Sequence, residues 1–240
     1  MTSLVRTASC FFSLAFGNRT EILLTAPIFY VFLAHEAGTQ SRVTVDRTIA
    51  IRWLSFSIVP LLLGVLTLYY NYIRFDSITD FGYAHIPGVL YEPWYEHGIF
   101  SAYYIPRQAY EMLFKPWNYC DLFPYLAPNG FSSSIIWSSP FLLFIFCRGV
   151  RDHLVKFCSF GGIIAMTLVF WSHGNSGGWQ FGYRYAMILL PWIFILLLET
   201  SPKRTISWLE WGAYSFSFLV NAYAVWLFHW TGYIKNWLNA

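Results

Sequence analysis

Apolar residues recur along this chain in runs long enough to suggest membrane spans, separated by short polar or basic stretches. A helix needs about 20 mostly apolar residues to cross roughly 30 Å of hydrocarbon. On that measure about six segments qualify: 8–34, 53–70, 133–147, 157–172, 183–198 and 211–228. The first is interrupted by Asn18, Arg19, Thr20 and Glu21, so it reads either as one span with a polar break or as two half-segments. The pattern predicts an all-α, polytopic integral membrane protein forming a single membrane domain over 1–240. The longest stretch between spans, 71–132, is rich in Tyr and Trp. Disordered segments are poor in aromatics, whereas Tyr and Trp suit the headgroup layer. A folded, aromatic outer cap is therefore expected there, with a short helix near 106–114.

Composition sharpens this picture. Of 240 residues, 57% are hydrophobic and only 11% are charged, against about a quarter charged in an ordinary soluble domain. The net charge of +3 comes from scattered basic residues, which argues against a nucleic-acid partner. Cys10, Cys120, Cys147 and Cys158 form no CxxC pair and read as small hydrophobes rather than a disulfide framework or zinc site.

Lys and Arg in short loops set orientation. Arg42, Arg47 and Arg52, then Arg148, Arg151 and Lys156, then Lys203 and Arg204 fall on one side, taken as cytoplasmic. Residues 71–132 and 174–182 then lie on the outer face. Both termini would also be outside, an awkward start for the first span.

Candidate chemistry gathers at three places. Charges inside a membrane are costly, so Arg19 and Glu21 face a partner, a cavity or each other. In "NYIRFDSITDFGYAHIPG", Arg74 and Asp76 are close enough to pair, and Asp76 and Asp80 are candidates for a catalytic base. The alternative is a membrane-anchoring turn. In "WSHGNSGGWQFGYRY", Gly174, Gly177 and Gly178 let the backbone approach a ligand closely, and Arg184 beside the start of a helix suits a phosphate. The alternative is a tight turn with Arg184 reaching to the interface. The six histidines show no HxxH or HExxH spacing. No metal site or cofactor is expected, and a divalent metal has no support.

Several of these stretches together resemble a known family. "NYIRFDSITDFGY" resembles the NYxRFGSPxEFGY pattern of bacterial multi-spanning glycosyltransferases of the GT-C type, relatives of the protein mannosyltransferases and the lipid A aminoarabinose transferases. "GGWQFGYRYAMILLPW" resembles their GGxSFGPRYLLPxLP pattern. "GFSSSIIWSSPFLL" and "FSLAFGNRTEILLTAPIFYVFL" are similar to two further segments, and all four stand in the family's order. The resemblance implies transfer of a sugar from a polyprenyl-phosphate carrier to an acceptor on the outer face. It implies Arg74, Arg184 and Arg19 as lipid-phosphate ligands, and Tyr83, Gly177, Gly178, Gly182 and Tyr185 as motif positions. Asp76 stands where the pattern has glycine, Asp80 where it has glutamate, and Tyr183 where it has proline. The family's acidic catalytic pair lies upstream of the helix matched by 12–33. The chain is thus expected to correspond to the C-terminal portion of such an enzyme: a fragment, a split subunit with a second membrane partner, or a degenerate copy. A non-catalytic lipid-binding subunit and a transporter are the alternatives.

Overall fold

The computed structural model describes residues 2–36, 46–82, 85–129, 131–147, 149–177, 180–200 and 205–233. It is mostly helical, with one two-residue β-hairpin. The single domain read over 1–240 corresponds to two compact units, Met1–Glu96 and His97–Ala240.

In the first unit, the polar break in the opening segment divides the chain. Helix α1, Thr2–Asn18, ends where Arg19 turns extended (φ −142°). A 3-10 stretch, Thr20–Thr25, follows and leads into α2, Ala26–Glu36. The reading of 8–34 as one span is therefore corrected to two helices either side of Arg19. Helix α3 runs Arg47–Phe75, well beyond the expected 53–70. Its N-terminus is capped by Asp46, whose carboxylate accepts the Ile49 N–H at 2.9 Å. Pro60 lies inside it; a missing N–H costs little continuity when the rest of the ladder holds.

Aromatic packing holds α1, α2 and α3 together. Phe12 and Phe56 are buried, and the Phe29 ring lies 5.0 Å from Phe12 and 5.5 Å from Phe56, centroid to centroid. Such ring pairs add to the area they bury. Polar groups on the facing sides are matched: Ser9 Oγ donates to the Phe56 carbonyl at 2.6 Å, and Trp53 Nε1 to the Tyr30 carbonyl at 3.0 Å. Arg52, read from sequence as a loop cation, instead lies in α3 and is buried; it donates to the Leu33 carbonyl and pairs with Glu36 at 3.5 Å. It thereby neutralises the C-terminal end of α2. Farther along α3, Leu54, Leu61, Leu62, Val65 and Leu66 stay more than half exposed.

In the second unit, α4, Ile105–Leu113, matches the short helix expected near 106–114. Strands β1, Asn118–Tyr119, and β2, Leu126–Ala127, pair antiparallel. The expected span 133–147 is not one helix. Helix α5, Ile135–Ser138, makes a single turn capped by Ser134; Pro140 then opens a 3-10 stretch, Pro140–Phe146. Proline disfavours helical backbone in the residue before it, and Ser139 sits at φ −148°. Helix α6, His153–Ser172, is capped by Asp152. Residues Arg184–Leu189 are 3-10, so the span expected at 183–198 begins as an α-helix only with α7, Leu190–Thr200. Helix α8, Trp208–His229, starts from a capping box of Ser207 and Glu210. Among the described residues, α3 and α6 are the helices long and apolar enough to cross a membrane.

The loop after α6 is clasped along its length by the segment that precedes α5. Gln108, with no exposed surface, donates to the carbonyls of His173 (2.8 Å) and Gly174 (3.1 Å) and accepts from Tyr183 Oη at 2.8 Å. Arg107 also donates to the Gly174 carbonyl. Trp117 Nε1 donates to Phe181, and the Ser133 N–H donates to Gly182. Ser132, Ser133 and Ser134 are fully buried, each with a partner; Ser132 donates to Glu111 at 2.8 Å, whose other oxygen faces Lys115.

Removing Gln108 therefore takes one hydrogen-bond partner at once from the His173 carbonyl, the Gly174 carbonyl and Tyr183 Oη. Gln108→Leu is expected to cost roughly 3 kcal/mol, since a buried group left without its partner loses about 1–3 kcal/mol. Thermal unfolding in detergent reads the loss, and faster protease cleavage within 173–182 accompanies it. An unchanged melting temperature would remove the clasp as a stabilising element.

Candidate anion-binding clefts

A cleft of about 710 Å³ opens in the first unit where α1 breaks and α3 ends. Gly17, Asn18, Arg19, Thr20 and Glu21 form one side, and Thr67, Tyr70, Asn71, Arg74, Phe75 and Phe81 form most of the other. Two of the three arginines expected to bind a lipid phosphate thus line one cleft. Their approach follows from local structure. The extended backbone of Arg19 stops α1 within the apolar run, and α3 continues far enough to carry Arg74 in its last turn.

The lining carries two guanidiniums against one carboxylate, Glu21, so it favours anions. Arg74 does not pair with Asp76 as the sequence spacing suggested. Its Nη1 donates to Tyr70 Oη at 2.8 Å, and the guanidinium lies 5.1 Å from the Phe75 ring centroid. An arginine has five N–H donors in a fixed fork. One is used here, and Arg74 has no ion pair among the described residues.

Asp76 and Asp80 hold the turn behind Arg74. Asp76 adopts the left-handed conformation (φ 53°) that ends α3, and its N–H donates to the Tyr72 carbonyl. This is the position where the resembling pattern carries glycine, and a left-handed residue explains why glycine suits it. Asp80 takes the Gly82 N–H on one oxygen (2.7 Å) and His85 Nε2 on the other (3.0 Å). Phe75 stacks on His85 at 5.1 Å and presses on Gly82, where a Cβ would stand 2.6 Å from its ring. Gly82 also has φ +82°, so the turn requires glycine twice over. The Asp80 carboxylate is a turn-forming group, whereas Asp76 shapes the turn through its backbone. Tyr83 lies outside the described residues.

Arg184 lies in the second unit and lines a separate groove of about 560 Å³. Gly177 has φ +116°, and a Cβ there would stand 3.2 Å from Arg184 Cβ. Gly182 is tied through its carbonyl to Ser133, and Tyr185 packs its ring on Phe170 and His173. Gly178 lies outside the described residues. No group of three or more His, Cys, Asp or Glu able to hold a metal occurs among the described residues.

Sequence reading missed Thr67, Tyr70 and Asn71. Their signal was present: with Arg74 they fall at i, i+3, i+4 and i+7, a polar stripe on one face of an apolar helix. Nothing local pointed to His85 or Gln108, whose partners are set by turns and distant loops.

No protein-family model, curated protein or solved structure matches the chain.

The turn makes a separable prediction. Asp76→Val is expected to lose about 1–2 kcal/mol of stability, the cost of a left-handed residue with a bulky side chain, while Asp76→Gly holds or gains stability. Unfolding in detergent measures both. Equal melting temperatures for the two variants would mean that the left-handed cap does not constrain this turn.

Proposed function

We propose that the chain is a polytopic membrane protein of a bacterial plasma membrane that binds the phosphate of a polyprenyl-phosphate sugar, as a GT-C-like glycosyltransferase or its C-terminal portion. The single observation that carries the reading is the cleft lined by Arg19 and Arg74. Two guanidiniums held against one carboxylate favour a phosphate, which arginine meets with paired N–H donors. The exposed apolar side of α3 supports the membrane environment. In water, a surface of Leu54, Leu61, Leu62, Val65 and Leu66 needs a cover; in a bilayer, lipid supplies it.

In such a transfer the acceptor oxygen bonds to the sugar's anomeric carbon and loses its proton. The bond from that carbon to the phosphate oxygen breaks, and the polyprenyl phosphate leaves with the bonding electrons. Arg19 and Arg74 would stabilise the charge that develops on the leaving phosphate, the kind of pre-oriented electrostatic contribution that dominates many active sites. The Asp80 carboxylate is engaged in the turn, which leaves Asp76, whose backbone N–H makes its bond there, as the candidate in this chain to take the acceptor's proton. The same cleft supports a lipid-phosphate-binding subunit that performs no transfer, and turnover of a labelled donor separates the two.

Two experiments test the reading. Alkaline extraction of membranes from expressing cells is expected to leave the chain in the pellet, and release into the supernatant would refute the bilayer assignment. Farnesyl phosphate binding to the detergent-purified chain is expected to weaken about tenfold or more in Arg74→Gln and in Arg19→Gln, as loss of a hydrogen bond to a charged group costs about 1.5–3 kcal/mol. Unchanged affinity in both variants would refute the phosphate site.

A further inference from the structure

The groove around Arg184 has its own charge and shape. Its walls come from α5 and the 3-10 stretch behind it, from the 184–193 segment and from the C-terminal half of α8. Leu142, Met187, Leu190, Ile193, Val225 and Phe228 make it largely apolar. The volume, about 560 Å³, lies within the range of small-ligand pockets.

Arg184 is the groove's cation, beside neutral polar groups from Ser138, Ser139, Gln180 and Asn221. Arg184 and His229 line the groove, and no Asp or Glu does. Arg184 is exposed and has no hydrogen-bond or ion-pair partner among the described residues. Asn221 donates to the carbonyls of Ser138 (3.1 Å) and Ser217 (2.8 Å), which pins α8 to α5 and forms one wall. The glycine at 177 permits the loop to close against the stem of Arg184, and that loop is held by the buried Gln108. The guanidinium is therefore mounted on an anchored segment while its charge stays uncompensated.

An anchored, uncompensated cation at an apolar groove matches an anion joined to one hydrocarbon chain. A free anion would use only the guanidinium, and an exposed cation alone binds weakly in water. A neutral lipid would use only the walls. We propose that this groove is a second lipid site, which takes a single-chain anionic amphiphile with its chain along Met187, Leu190, Ile193 and Phe228 and its head on Arg184. The site is independent of the cleft lined by Arg19 and Arg74.

The test uses 1-oleoyl lysophosphatidic acid as probe, with monoolein and inorganic phosphate as the other arms, on the full chain in neutral detergent. Lysophosphatidic acid binding, read by native mass spectrometry, is expected to weaken at least tenfold in Arg184→Gln. It should weaken comparably in Met187→Trp, which fills the groove from an exposed position, and the same tenfold loss is expected when Arg184→Gln is added to Arg74→Gln, which removes the phosphate binding of the first cleft. Monoolein should bind wild type and Arg184→Gln alike, and millimolar phosphate should not displace the lysolipid. A diazirine-bearing lysolipid should label wild-type residues within 135–142 or 187–229, a readout that does not depend on any variant folding. Equal lysolipid affinity with and without Arg184→Gln in the Arg74→Gln background, displacement from that background by inorganic phosphate, or absence of labelling within 135–142 and 187–229 would each overturn the proposal.

Discussion

Gln108 joins α4 to the loop after α6 through hydrogen bonds at full burial: two donated to successive carbonyls and one accepted from Tyr183. That arrangement answers the constraint a chain this apolar faces wherever a helix stops. Backbone groups freed at a break and buried away from water need partners from the protein itself. In the second unit, the segment 99–134 meets that need at both ends of residues 172–182: Ser101 and Gln108 bond within 172–174, and Trp117 and Ser133 within 180–182. Arg184 follows directly on the clasped loop. Its position is thus set by backbone satisfaction upstream, whereas its guanidinium makes no such bond.

The first unit shows the same constraint with a smaller break. The Arg19 N–H donates to the Ala15 carbonyl, and the Arg19 carbonyl accepts from Ile22, so the chain passes from α-helix to 3-10 helix without orphaned groups around that residue. The interruption costs little, and a charged side chain emerges from within an apolar run. Beside it, α3 stays unbroken past Pro60 and delivers Tyr70, Asn71 and Arg74 on one face. A break on one element and continuity on the other create the cleft.

Much of this was legible in the residues. Long apolar runs predicted the helices, and the Asn18–Glu21 interruption predicted a division that the backbone makes at Arg19. The Ser-Ser-Pro stretch at 138–140 held the signal that ends α5, but a hydropathy count over 133–147 averages across a proline. Arg52 was misread for a different reason. Counting cations between apolar runs treats each as a loop residue, whereas the Asp46 cap starts α3 ahead of it and burial turns the side chain towards α2. The clasp was not legible. Gln108, Trp117 and Ser132–Ser134 find clasp partners 19 to 75 residues away, and no local periodicity encodes such pairings. Asp76 lies between these cases: glycine at the matching position of the resembling pattern is compatible with the left-handed backbone that Asp76 adopts.

The electrostatics of the Arg19–Arg74 cleft contain an opposition whose outcome can be weighed. The C-terminal end of a helix carries partial negative charge, so the end of α3 disfavours an anion by about 0.3–1 kcal/mol. Glu21 adds repulsion from the other side. Arg74, in the last turn of α3, offsets the helix end, and that use draws on part of its field. One guanidinium would leave the cleft close to neutral. On the proposed reading Arg19 tips the balance, because a charge-assisted hydrogen bond to a phosphate would contribute about 1.5–3 kcal/mol, more than the helix end opposes. The two arginines are unequal for that reason: Arg74 sits where it first offsets its own helix end, and Arg19 stands at the break where the end of α1 meets the start of the 3-10 stretch, two helix ends of opposite sign.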